Sequence, residues 1–129
     1  MVIDTSALVA ILLAEPGHER LNERIVIDSR RLVSAATVVE AGIVLLSRRG
    51  GHNEPLLDVF LHDAGIEIVP VDTEQARLAR DAFRRFGKGR HSAGLNFGDC
   101  FAYALSAVTG EPLLYKGDDF DRTDVAAAR

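Results

Sequence analysis

The chain has 129 residues, 47% of them hydrophobic, with one Cys, no Trp and a formal charge of −4. That length predicts a single domain, 1–129, with its own core, and a lone Cys excludes an intramolecular disulfide. The negative balance excludes a protein that holds nucleic acid through overall positive charge, so any such contact needs a local basic patch.

Val2 to Asp4 reads as a buried strand, and Ser6 as the N-cap of a helix through Ala14 that Glu15-Pro16-Gly17 stops. A second helix is predicted from His18 to about Ser29, with Leu21 and Ile25 inward. Arg31 to Ser34 is strand-like and leads into a helix ending near Arg49, before Gly50-Gly51. Pro55 to Ala64 reads as helix, and Glu67 to Val71 as a strand whose Pro70 favours its end or a sheet edge. Asp72-Thr73-Glu74-Gln75 has capping-box spacing and starts a helix to about Phe86. Gly87 to Leu95 is a basic, Gly-rich loop. Asn96 caps the next helix, in which Phe101, Ala104, Leu105 and Val108 keep helical spacing up to Gly110. Pro112 to Tyr115 and a short Val125–Ala128 segment complete the strands. Strands alternating with helices predict a three-layer α/β/α sandwich with a mostly parallel sheet of about five strands.

The longest apolar run, Ala7 to Ala14, is far too short to cross a bilayer, and the N-terminal residues lack the basic-then-apolar pattern of a signal peptide. A cytoplasmic protein without membrane contact is the expectation.

Acids recur where strands end and helices begin: Asp4, Glu40, Asp99, Asp118 and Asp119. Each has a local explanation. Asp4 can cap the helix that follows, and Thr37-Val38-Val39-Glu40 fits a capping box. Asp99 stands three residues after Asn96, where a carboxylate suits the helix dipole, and Asp118-Asp119 lie in a Gly-containing turn. The set says more than its members. In an open α/β fold the carboxyl ends of the strands converge on one crevice. Two carboxylates about 5 Å apart repel by about 3 kcal/mol at an effective dielectric near 20. Glu40 and Asp99 also sit in strongly apolar helices with no Lys or Arg in the first turn. A bound cation would compensate them, and oxygen ligands suit Mg²⁺, with Mn²⁺ as the alternative, rather than Zn²⁺. His18, His52, His62 and His91 are scattered without ligand spacing, and Cys100 reads as a small helix residue.

Val2-Ile3-Asp4-Thr5-Ser6-Ala7, Val38-Val39-Glu40-Ala41, Leu95-Asn96-Phe97-Gly98-Asp99-Cys100 and Leu114-Tyr115-Lys116-Gly117-Asp118-Asp119-Phe120, in that order, resemble the motifs of the PIN-domain ribonucleases, specifically the VapC-type toxins of bacterial toxin–antitoxin pairs. The resemblance spans essentially the whole chain. It implies a PIN-like sandwich and Mg²⁺- or Mn²⁺-dependent endonucleolytic cleavage of RNA. Asp4, Glu40, Asp99 and Asp119 are implied as catalytic and metal-holding, with Asp118 as the other candidate for the last place. Thr5, Ser6 and Asn96 are implied as supports for those carboxylates. The resemblance further implies a homodimer and a cognate VapB-type antitoxin that covers the acids.

An acidic crevice repels RNA, so cations must flank it. Arg85, Lys88 and Arg90, within the basic stretch that runs into the Asp99 motif, are the candidate contacts, together with Lys116; the competing explanation is a solvated helix end. A phosphoryl-accepting receiver domain would need adjacent acids after the first strand, where Thr5-Ser6 stands. A haloacid-dehalogenase-like phosphatase would need an Asp at position 6. The remaining alternative is a non-catalytic PIN-fold module that only binds protein or RNA.

Overall fold

The computed structural model describes residues 1–129. In chain order it contains β1 (Val2–Ile3), α1 (Thr5–Leu12), α2 (His18–Ile27), β2 (Leu32–Ser34), α3 (Ala35–Ser47), α4 (Leu56–Asp63), β3 (Glu67–Val69), α5 (Thr73–Phe86), α6 (Phe97–Thr109) and β4 (Leu113–Leu114). Short 3₁₀ turns lie at Arg49–Gly51 and Asp119–Arg122. Every strand pair is parallel, in the order β3-β2-β1-β4, with Val2 opposite both Leu32 and Leu113.

The strands are short, yet they separate two cores. Side chains alternate across a strand with a period of two. Val2, Leu32 and Leu113 accordingly pack with Ala79 and Ala82 of α5 and with Ala102 and Leu105 of α6. Ile3, Val33 and Leu114 face the other way, onto Leu8 of α1, Ile25 of α2, Leu45 of α3 and Leu57 and Leu61 of α4. The three-layer α/β/α sandwich is therefore present, and β3 is an edge strand, as its Pro70 suggested. The expected fifth strand is reduced to one residue. Ala127 bridges Leu113 in parallel, held by Leu113 N–H to Ala126 O and Ala128 N–H to Leu113 O, both 2.8 Å. β4 is only two residues long and cannot extend that ladder.

Helices begin immediately after strands, so the last residue of the strand region supplies the cap. Asp4, not Ser6, caps α1, and Ser34 caps α3 by accepting from Ala36 N–H at 3.2 Å. Thr37 therefore lies inside α3, buried with its Oγ1 unpartnered, and the Thr37–Glu40 capping box does not form. Asp72 caps α5 as expected, while Gln75 turns its amide to Pro70 O instead of closing a box. α6 ends at Gly110, whose φ of 73° is the left-handed conformation that glycine adopts without a Cβ penalty.

The order β3-β2-β1-β4 fixes the crevice. The chain moves outward from β1 through β2 to β3, then returns to place β4 on the other side of β1. Ligand crevices in open α/β sheets open at such a reversal, outside the carboxyl ends of the strands. Asp4 leaves β1 at this place, and Lys116 to Asp119 leave β4 there.

Candidate active site

Asp4 is 2% exposed. Its Oδ2 accepts from Ser6 N–H at 2.9 Å and from Ser6 Oγ–H at 2.6 Å, which is the helix-capping role. Its Oδ1 is buried and has no hydrogen-bond partner. Burial pushes the carboxyl up to about 6; the Ser6 bonds oppose this, and the nearby Glu40 charge adds to it. Ser6 Oγ also accepts from Lys116 N–H at 2.9 Å, so one hydroxyl ties the β1–α1 junction to the segment after β4.

Glu40 projects from the second turn of α3 and accepts a hydrogen bond from Thr5 Oγ1–H. Its carboxylate lies against Gly98, occupying the space that a Cβ at position 98 would take. Gly98 is thus a close-approach glycine: α3 and α6 meet with an acid seated on bare backbone. Asp99 follows in the first turn of α6. Its Oδ2 accepts from Asn96 N–H at 3.0 Å while Asn96 Oδ1 accepts from Asp99 N–H at 2.9 Å, a complete reciprocal cap. Burial raises the Asp99 carboxyl to about 7, with the charges of Asp4, Asp119 and Glu40 pushing the same way.

Asp119 opens the 3₁₀ turn behind Tyr115 and is exposed; the buried Phe120 ring, 5.1 Å from Tyr115, anchors that turn. The charge of Asp119 is one of those that push Asp99 up. Asp118 is exposed, and its carbonyl accepts from Asp121 N–H in the turn. Asp119 is thus electrostatically joined to the cluster.

None of Asp4, Glu40, Asp99 and Asp119 pairs with a Lys or Arg. Nor do three acid, His or Cys side chains converge into a ready-made ion cage. Glu40 accepts from Thr5, and Asp99 from Asn96. A hard divalent cation fits this set nonetheless. The donors are all oxygen, and the orphaned Asp4 Oδ1 lacks any protein group to satisfy it. The His residues play no part: His91 packs edge-on against Phe86, 5.3 Å between centroids, and His18 Nδ1 lies 2.9 Å from Glu15 O.

A family model described as PIN domain matches residues 1–126. The chain belongs to the PIN domain family. Its relatives include a protein named ribonuclease VapC from Mycolicibacterium smegmatis, 55% identical over 127 residues and 98% of each chain. Ribonuclease VapC30 of Mycobacterium tuberculosis is 50% identical over 126 residues, spanning 98% of this chain and 96% of that one. Among solved structures, Mycobacterium tuberculosis VapC20, described as a sarcin-ricin loop cleaving toxin, superposes with a TM-score of 0.78 at 15% identity, over 97% of this chain and 95% of its own. That likeness shows the fold. No helix of this PIN domain is long and apolar enough to cross a membrane.

Two of the four cations expected to meet RNA are otherwise engaged. Lys116 Nζ is 2.8 Å from Glu15 Oε2 and points to the α1 end rather than to Asp118. Arg85 donates to Tyr103 Oη at 3.2 Å and to Asp124 Oδ2 at 2.9 Å, and Tyr103 donates to Asp124 at 2.6 Å. This trio ties the C-terminal segment of the PIN domain to α5 and α6. Lys88 is exposed and forms no ion pair, and Arg90 Nε donates to Arg84 O at 3.2 Å. Cys100 is buried, donates to Asn96 O and is pushed up to about 11 by burial and by Asp99, so its thiol stays protonated. Sequence reasoning missed Gly98. Its signal was a glycine in the first turn of an apolar helix, beside the acid, where helix propensity disfavours it.

Proposed function

We propose that this PIN domain is a metal-dependent endoribonuclease acting in the cytoplasm as the toxin of a toxin–antitoxin pair, with Asp4, Glu40, Asp99 and Asp119 holding Mg²⁺ or Mn²⁺. The carrying observation is the concentration of uncompensated carboxylates at the β1/β4 reversal, with Asp4 Oδ1 buried and unpartnered. Relatives named ribonuclease support the substrate class. A cation held there supplies Lewis acidity for water attack on a phosphodiester and for the charge on the leaving oxygen. The chain's own residues prepare that site. Ser6 fixes Asp4 Oδ2 and leaves Oδ1 free, Thr5 orients Glu40, and Asn96 holds Asp99 at the helix start. Gly98 admits the Glu40 carboxylate into the cluster.

The antitoxin partner has a candidate surface beside these acids. Val39, Ile43 and Leu46 form an exposed stripe on α3 at i, i+4 and i+7, and Leu56 and Val59 of α4 are exposed as well. Such a stripe suits the apolar face of an amphipathic helix. Val39 adjoins Glu40, so an Arg on that helix would come within reach of the carboxylates and take the place of the cation's charge. A homodimer is part of the same proposal.

Incubation of purified protein with end-labelled total RNA in Mg²⁺, Mn²⁺ or EDTA, beside Asp99→Asn, tests the activity. Discrete fragments that require metal and vanish in the variant are expected. No cleavage by folded, antitoxin-free protein would instead favour a module that only binds.

A further inference from the structure

The first turn of α6 presents a residue that neither the core nor the acid cluster uses. Phe97 is 79% exposed, the most open large apolar side chain in the protein, although Gly98 and Asp99 beside it belong to the acid cluster. Its ring stands nearly perpendicular to Phe101, with centroids 4.9 Å apart, so one ring braces the other and a face is left to solvent. Phe97 and Phe101 form one wall of an open groove of about 710 Å³ between α5 and α6. Across it stand Phe83, itself 39% exposed, and Arg80, Arg84 and Arg90.

The chemistry of this groove selects among occupants. No Asp or Glu lines it, while three Arg do, in a chain whose formal charge is −4. Only Arg84 has an ion-pair partner, Asp81 at 3.1 Å. Exposed aromatic rings interleaved with guanidinium groups match an unpaired nucleobase on its phosphate backbone, which offers a π-face and negative charge together.

We propose that the Phe97 ring and the Arg80–Arg84–Arg90 rim form a subsite that stacks an unpaired base of the RNA flanking the cleaved bond, selecting single-stranded over duplex RNA. This inference rests on the ribonuclease function proposed above. Phe97 would supply the stacking face and the arginines the phosphate contacts. Phe97 and Cys100 of the groove flank Gly98 and Asp99 in the first turn of α6, so the groove and the acid cluster share that turn.

The test measures binding and cleavage separately. Fluorescence anisotropy in EDTA follows a labelled ten-nucleotide single-stranded RNA, its abasic counterpart and a duplex of equal length, with wild-type protein, Phe97→Ala and Phe97→Leu. Phe97 is exposed enough for both variants to fold. Both variants are expected to weaken the single-stranded probe by about tenfold and to leave the abasic and duplex probes unchanged. Arg80→Gln and Arg84→Gln are each expected to reduce the salt slope by about 0.7. Binding by Phe97→Leu equal to wild type would overturn the subsite, because it would mean that apolar contact suffices without stacking. A change of oligomeric state in Phe97→Ala, with RNA binding intact, would also overturn it and assign the groove to a protein partner. Wild-type protein that cleaves total RNA while all variants bind and cleave alike would remove the subsite alone. Wild-type protein that neither binds nor cleaves RNA would remove the ribonuclease function as well.

Discussion

Asp4→Asn separates the cost of gathering these carboxylates from their use. In the folded protein Asp4 titrates near 6, against 3.8 when free. The folded state therefore holds more protons than the unfolded state between those values, so the stability present below about pH 4 is lost as pH rises through about 6. At about 1.4 kcal/mol per unit, the full cost of ionising Asp4 is about 3 kcal/mol, of which about 2 kcal/mol falls between pH 4 and pH 8. Asp99, raised to about 7, extends the same fall upward. Asn keeps an oxygen for Ser6 and removes the charge, at a pH-independent cost of about 1–3 kcal/mol for a buried amide NH₂ without a partner. Comparing the two pH values cancels that cost. In urea unfolding with EDTA, wild-type protein is expected to lose about 2 kcal/mol more than Asp4→Asn between pH 4 and pH 8. At pH 8, Mg²⁺ at about 100 times its dissociation constant should return about 2.7 kcal/mol to wild type, and less to the variant. Parallel pH profiles for the two proteins would refute the electrostatic cost assigned to Asp4.

Other substitutions probe single contacts. Asp119→Asn should lower RNA cleavage on the order of a hundredfold, while Asp118→Asn should stay within a fewfold of wild type, because the Asp119 charge is one of those that raise Asp99; rates measured at saturating Mg²⁺ decide it. Gly98→Ala should push the flexible end of Glu40 aside rather than disrupt the backbone, costing about 1 kcal/mol in urea unfolding and at least tenfold in cleavage. Arg85→Ala should remove its bonds to Tyr103 and Asp124, leave the Tyr103–Asp124 bond in place and lower stability by about 1 kcal/mol, with single-stranded RNA affinity and its salt slope unchanged; urea unfolding and anisotropy report the two halves separately.

What could be read in the sequence was what is encoded locally. The alternation of strands and helices, the caps at Asp72 and Asn96, the glycine stop at Gly110 and the edge position of Pro70 each depend on residues a few positions apart, and all are present in the fold. Asp4 and Asp99 carried two explanations, helix cap and site acid. Their oxygens divide the roles: in each, Oδ2 serves the local cap. Ser6 and Thr37 were misplaced as caps because each helix starts directly at its strand, a junction that hydroxyl spacing does not reveal. The ion pairs of Lys116 and Arg85 were not legible for a different reason. Their partners, Glu15 and Asp124, lie 101 and 39 positions away, and only the folded chain brings them together. The exposure of Phe97 was hidden too, since an apolar residue at a helix start ordinarily reads as core.

Equilibrium binding of Mn²⁺, followed by electron paramagnetic resonance of the free ion at pH 8, tests most directly whether these acids are gathered to hold a cation. Wild-type protein should remove Mn²⁺ from solution with saturable stoichiometry, Mg²⁺ should compete it off, and Asp4→Asn and Asp99→Asn should each weaken it at least tenfold. Folded variants that bind Mn²⁺ as tightly as wild type, or wild type that binds none, would contradict the account.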